Sequence, residues 1–165
     1  MNLKRILSIS LIIIVLASVS VVSAGLLNGE QDNVIEVDNV KFNTTNITKF
    51  TLYDLDEDEG GYTAYYTDEN RSGYKVVIDN FSAGSGWDDF DWGKALAFSK
   101  NHTKDAPSQT VNGVVVYTTS ANMGEHVGEP RYESYIENRD LFTIVNVGSP
   151  DPNETAKMAL SLKFK

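Results

Sequence analysis

"YTAYYTDENRSGYKVVID", residues 62–79, reads as two strands folded around a tight polar turn. The tyrosines, threonines and valines on either side favour extended backbone, while "DENRSG" between them carries no apolar residue and ends on glycine. Two strands joined by so short a link form a hairpin and lie antiparallel. The same theme recurs downstream. "TVNGVVVYTT" (110–119) holds Asn112-Gly113, the preferred pair for a tight hairpin turn, and further strands are expected at 114–119, 131–137 and 141–147. Upstream, "VIEVDNVKF" (34–42) alternates as one strand or two short ones, and "FTLYDL" (50–55) is another that runs into the acidic "DEDEGG".

Two stretches change to helical spacing. "SGWDDFDWGKALAFSKN" (85–101) predicts a helix over roughly 88–100, with Ser85 and Asp88 resembling a capping box and Gly93 weakening the middle. "DPNETAKMALSLKF" (151–164) predicts a closing helix. Asp151 is its N-cap, Pro152 its first residue, and Glu154 completes the cap from the third position. Met158, Ala159 and Leu162 supply the buried stripe. Positions 158, 160 and 162 spread around the turn, so Leu160 or Met158 is expected to be partly exposed. The fold class is therefore α+β: an antiparallel β-sheet covered by two helices, one central and one C-terminal.

A different kind of segment precedes this domain. Lys4 and Arg5 are followed by an uncharged apolar or small run from Ile6 to Val22, closed by "VSA" before Gly25. Residues 1–24 have the form of a hydrophobic signal helix with cleavage after Ala24, and the run is long enough to be a retained membrane anchor instead. Either way, the chain beyond Gly25 is expected outside the cell, secreted or at the cell surface. Residues 25–33 read as a polar linker, and 34–165 as a single domain.

The stretches "TVNGVVVY" (110–117), "GEPRYESYIENRDLFTIV" (128–145) and "ETAKMALSLKF" (154–164) resemble a family of small exported proteins of methanogenic archaea with no assigned activity. More distantly, the strand order and closing helix are similar to PsbP-like α/β sandwich domains. The resemblance implies an exported location and a sandwich-like fold. Its motifs are turns and packing residues, so it carries no reaction over.

Composition narrows the function. The net charge is −9, and losing Lys4 and Arg5 with the leader would make it −11. Such a surface repels phosphate backbones, which argues against nucleic acid as a partner. There is no cysteine, so disulfides, thiol nucleophiles and thiolate metal sites are excluded and the fold rests on its core. N-x-[ST] sequons begin at Asn43, Asn46, Asn70, Asn80, Asn101 and Asn153; in an exported chain they are candidates for glycosylation.

The candidate catalytic residues match no established signature. His126, beside Glu125 and close to Glu129, stands among helix-breaking Gly124, Gly128 and Pro130, and the other histidine, His102, follows the central helix. Neither pattern is that of a zinc protease. Ser85 in "AGSGW" lacks the outer glycines of a nucleophile elbow. Asp54, Asp56 and Asp58 alternate as in a calcium loop, yet Glu59 and Tyr65 fill the positions where that loop needs glycine and glutamate. A weak calcium site at Asp54, Asp56 and Asp58, of millimolar affinity, is the one metal expectation. Tyr62, Tyr65, Tyr66 and Tyr74, with Trp87 and Trp92, are either core and cross-strand residues or a face for a glycan or an envelope protein. The expectation is a non-catalytic exported domain of the cell envelope with no cofactor, membrane contact being made through residues 6–22 if they are retained. An extracellular hydrolase using Asp or Glu carboxylates is the alternative.

Overall fold

The hairpin at 62–79 forms, and it lies within a broad sheet. The computed structural model describes residues 32–58, 60–81, 91–121 and 127–165. In chain order its elements are β1 (Asn33–Val37), β2 (Val40–Thr44), β3 (Phe50–Asp58), β4 (Gly61–Asp68), β5 (Lys75–Phe81), α1 (Trp92–Ser99), a 3-10 turn (Asn101–Thr103), β6 (Ser108–Val111), β7 (Val114–Ser120), β8 (Pro130–Asn138), β9 (Thr143–Ser149), α2 (Pro152–Ser161) and β10 (Lys163–Phe164). Seven strands form one sheet in the order β3-β4-β5-β9-β8-β7-β6, antiparallel at every pairing. Three more form a second antiparallel sheet, β1-β2-β10.

Side chains alternate along each strand, so the large sheet has two unlike faces. On one, Ala64, Val76, Ile78, Val145 and Val147 point into the core, where they meet Ile35, Val37, Val40 and Phe42 of the small sheet and Met158 of α2. Phe42 is fully buried, edge-on to Phe50 with ring centroids 5.7 Å apart. Each such apolar side chain contributes about 1.5–3 kcal/mol when removed from water. The other face carries Lys75, Asp79, Arg131, Glu133 and Asn146, all buried although polar. β9 lies between β5 and β8, and all of its residues are buried.

The turn chemistry accounts for the local geometry. Asn112 and Gly113 both have positive φ, at 50° and 85°, which is the conformation a tight β6–β7 hairpin requires. Asp38, at φ 49°, turns β1 into β2, so "VIEVDNVKF" is two strands.

Three expectations are corrected. The core face is covered by α2 together with a second sheet, and not by helices alone, because β2 has neighbours of its own in β1 and β10. The closing helix ends at Ser161. Its hydroxyl bonds back to the Lys157 carbonyl at 2.7 Å and accepts the Asn43 N–H at 2.9 Å, after which Leu162 is extended and Lys163–Phe164 pair with Lys41 and Val40. Glu154 does not complete the cap. Asp151 alone accepts from the Asn153 and Glu154 N–H groups, while the Glu154 carboxylate takes the backbone N–H and hydroxyl of Thr45.

The central helix is shorter than expected. It starts at Trp92 with Asp91 as N-cap, accepting from Gly93 and Lys94; Ser85 and Asp88 lie outside the described residues. Residues 1–24, the expected signal or anchor, lie outside them too. Among the described residues no helix is long and apolar enough to cross a membrane.

Candidate functional site

The second face of the large sheet holds the unusual chemistry. Strand register puts Lys75 of β5, Gly148 of β9 and Glu133 of β8 in one row. Glycine in the middle of that row leaves room for the lysine. Lys75 lies over Gly148, and its Nζ reaches Glu133 Oε2 at 2.8 Å. Arg131, two residues before Glu133 and so on the same face, bonds through Nε to Oε1 at 3.1 Å. From the paired strand β7, Thr119 donates its hydroxyl to Oε1 at 2.8 Å. The 3-10 turn after α1 brings in His102, whose Nε2 is 2.6 Å from Oε2.

Glu133 thus accepts two donors on each oxygen, as many as a carboxylate has lone pairs for. An ionised carboxylate only accepts, so the His102 proton at this contact sits on Nε2. That nitrogen then has no lone pair for the Lys75 ammonium 3.4 Å away, and Lys75 gives its protons to Glu133. Tyr135 flanks the cluster, its hydroxyl 3.2 Å from His102 Nε2 and its ring 5.4 Å from Lys100 Nζ.

Burial and charge set the ionisation. Burial by itself raises the Glu133 carboxyl, but the His102 hydrogen bond and the charges of Lys75 and Arg131 outweigh it and hold the group well below the usual carboxylate range. Lys75 is lowered to about 8, because burial outweighs Glu133 and Arg131 adds repulsion. Burial pushes the Tyr135 hydroxyl up, and Glu133 and Asp79 push it further. Lys75 and Glu133 have side-chain exposures of 4% and 0%, whereas His102 is 48% exposed, so the histidine is the member that meets solvent.

Beside it lies an open cleft of about 600 Å³, lined among others by Asn101, His102, Thr119, Ser120 and Arg131. The lining offers hydroxyl, amide, imidazole and guanidinium groups and the Asp105 carboxylate, and its apolar members, Ala106 and Pro130, are small. A second cleft of about 310 Å³ runs between β3 and α1, with Asp56, Asp58, Thr63, Asn80, Lys94 and Phe98 on its walls.

The residues singled out from sequence are dispersed. Asp54, Asp56 and Asp58 are exposed on strand β3, not on a loop, and only Asp56 and Asp58 border the second cleft. Asp54 accepts its neighbour's N–H, from Leu55, and Asp58 that of Gly60. Among the described residues no group of three His, Asp or Glu side chains is placed to hold a metal ion. The tyrosines do not make a common surface: Tyr62, Tyr66 and Tyr74 pack on the core face, and Tyr65 points to the opposite face. Trp92 donates to Glu137 at 3.1 Å beneath the Arg139 guanidinium. His126, Glu125 and Trp87 lie outside the described residues.

In the sequence His102 is no more than the second histidine, outside any zinc-protease pattern, and Lys75, Arg131 and Glu133 do not stand out. The available signal is a lysine opening the apolar run "KVVI" and charges at alternate positions in "RYESYIE". A solvent-facing strand gives the same alternation, so the pattern does not separate a covered polar face from an open one.

No protein-family model, curated protein or solved structure matches the chain.

Proposed function

We propose that the chain is an exported, non-catalytic binding domain of the cell envelope, released or held at the membrane by residues 6–22, and that it takes envelope glycan in the cleft beside His102 and Arg131. One observation carries this reading. Every lone pair of Glu133 is engaged by a donor from Lys75, His102, Arg131 or Thr119, so the most buried acid of the site has none left to act as a base or nucleophile. The Glu133 carboxylate thus holds the wall of the cleft, and the one carboxylate that lines the cleft itself, Asp105, has no second one opposite it there. A lining of hydroxyls, an amide, an imidazole, a guanidinium and a carboxylate without a large apolar anchor suits a polyhydroxylated ligand. The carboxylates on the second cleft, Asp56 and Asp58, belong to one strand and do not oppose one another as a glycosidase pair does.

The test is a thermal-shift titration of the purified chain with soluble fragments of its own cell envelope, alongside Ser120→Trp, which fills the cleft from an exposed position. Binding raises the melting temperature by mass action. The shift should be present in the wild type and lost in the variant, with the fragments recovered intact. Fragment cleavage by the purified chain would overturn the non-catalytic reading and favour the carboxylate hydrolase. Fractionation of native cells with sequencing of the mature N-terminus tests export: Met1 intact in a cytoplasmic fraction would end it.

A further inference from the structure

The fold treats the N-x-[ST] sequons very differently. Asn80 is within β5, paired to β4 and β9 on either side, and its Nδ2 donates to Thr143 Oγ1 at 3.1 Å. Asn43 is half-buried in β2, between β1 and β10. The Asn46 amide donates to the Tyr74 hydroxyl at 3.3 Å. Asn101 and Asn153 are exposed, but the threonines that complete their sequons are not. Thr103 and Thr155 are buried, their hydroxyls bonded to Tyr135 and to the Tyr132 carbonyl.

Asn70 differs from all of these. It is exposed at the turn joining β4 to β5, and among the described residues no hydrogen bond engages its amide. The turn is fixed by its neighbours. Arg71 stands at φ 51° and gives its N–H to the Asp68 carbonyl at 3.0 Å, and Ser72, only half-buried, donates to Asp68 Oδ2 through both N–H and hydroxyl. The asparagine is thus held outward on a rigid turn with the sequon hydroxyl beside it.

We infer that Asn70 is the residue that carries an N-linked glycan. The inference rests on the proposed export, since the modification is made outside the cytoplasm. The donor is a sugar chain joined through phosphate to a membrane lipid. Asn70 Nδ2 forms a bond to the anomeric carbon, the carbon–oxygen bond to phosphate breaks, the phosphate leaves with its electron pair, and one amide proton is lost to base. At Asn80 the same bond would cost the Thr143 contact and place a sugar on the face of the sheet that carries Val76 and Ile78. Arg71 also holds its guanidinium 5.2 Å from the Tyr53 ring, so the glycan stands beside β3, an edge strand with Leu52, Tyr53 and Leu55 exposed. A bulky polar chain there guards an edge open to pairing with another chain.

The experiment uses the chain purified from its native cells. Trypsin cuts after Lys49, Arg71, Lys75 and Lys94, so peptides 50–71 and 76–94 each hold the asparagine of a single sequon, Asn70 and Asn80. Mass spectrometry should find a sugar mass on Asn70 in the first peptide and none in the second, and Asn70→Gln should abolish the mass shift of the intact chain. An unmodified 50–71 peptide from an exported chain, or sugar on 76–94, overturns the assignment. The mature N-terminus is read from the same sample: Met1 intact in the cytoplasm fells the export reading, whereas a processed or membrane-held chain with bare Asn70 fells this inference alone.

Discussion

Lys75 reaches Glu133 by lying across the backbone of Gly148. A Cβ at 148 would stand 3.1 Å from Lys75 Cγ and 3.3 Å from both Lys75 Cε and the Tyr132 carbonyl oxygen. The carbonyl belongs to a paired strand and cannot retreat, so the lysine must move. Gly148→Ala is expected to destabilise the domain by about 1–3 kcal/mol, the range for overpacking a filled site. Urea denaturation reads this directly. An unchanged midpoint would mean that the ion pair does not depend on the space at 148.

Glu133 is the hub of the cluster, so its removal should cost more than that of any one partner. Glu133→Gln leaves Lys75 and Arg131 as buried cations without the carboxylate they share, at a cost of about 3–5 kcal/mol. Lys75→Met should cost less, since Arg131, His102 and Thr119 still serve the carboxylate. The acid side follows the same logic. The Glu133 carboxyl is held below its ordinary value of 4.5, so its contribution is complete above that pH and is lost as pH falls through the lower folded value. Stability of the wild type should therefore fall below about pH 5, and Glu133→Gln should flatten that limb. Equal acid sensitivity of the two proteins would assign the loss to other carboxylates.

The alkaline limb belongs to tyrosines. Tyr62, Tyr65, Tyr66, Tyr74 and Tyr135 are all raised above their ordinary value of 10, mainly by burial. In that case the stabilisation is full below pH 10 and is lost as pH climbs through the folded values, because the unfolded chain releases its protons first. Lys75 acts in the opposite sense between about 8 and 10.5, where only the unfolded chain keeps the proton. Five groups against one should give a net fall above pH 10. Absorbance at 295 nm should show five of the eight tyrosines ionising late, joined to a drop in melting temperature. Titration of all eight as free tyrosine would sink the prediction.

Helix α2 provides the sharpest contrast between neighbours. Met158 is fully buried in the core, and Leu160, two residues on, is 63% exposed. Met158→Ala should cost about 2–5 kcal/mol, and Leu160→Ala about 0.5 kcal/mol or less. Deleting residues 151–165 removes α2 and β10 together and uncovers one edge of β2 and the core side chains around Phe42. The truncated chain should aggregate on size-exclusion chromatography. A soluble product with a cooperative melt would show the two elements to be appendages.

Much of the architecture was legible. Alternation marked the strands on both sides of "DENRSG", and Asn112-Gly113 marked its turn, because both depend on one residue and its immediate neighbours. Asp151 and Pro152 marked the start of α2 for the same reason. Errors arose where a distant partner competed with a local one. Glu154 belongs by spacing to its own cap, yet Thr45 takes it from 109 positions away. Ser161 continues a helical pattern, but the N–H of Asn43 claims its hydroxyl, and the chain leaves the helix to pair with β2.

The candidate site lies wholly on the side of the distant partners. Lys75, Arg131 and Glu133 are ordinary alternating charges in the sequence, with nothing to separate them from residues facing water. What makes them a site is that β5, β9 and β8 pair in a register that puts Lys75, Gly148 and Glu133 in one row, and that the turn after α1 sets His102 on top. The sequence alone therefore determined extended strands, their turns, an acidic surface and a cysteine-free core, since propensity and charge are properties of single residues and near neighbours. Only the tertiary structure decided that one sheet face is covered though polar, because burial and ion pairing depend on which segments the fold stacks together.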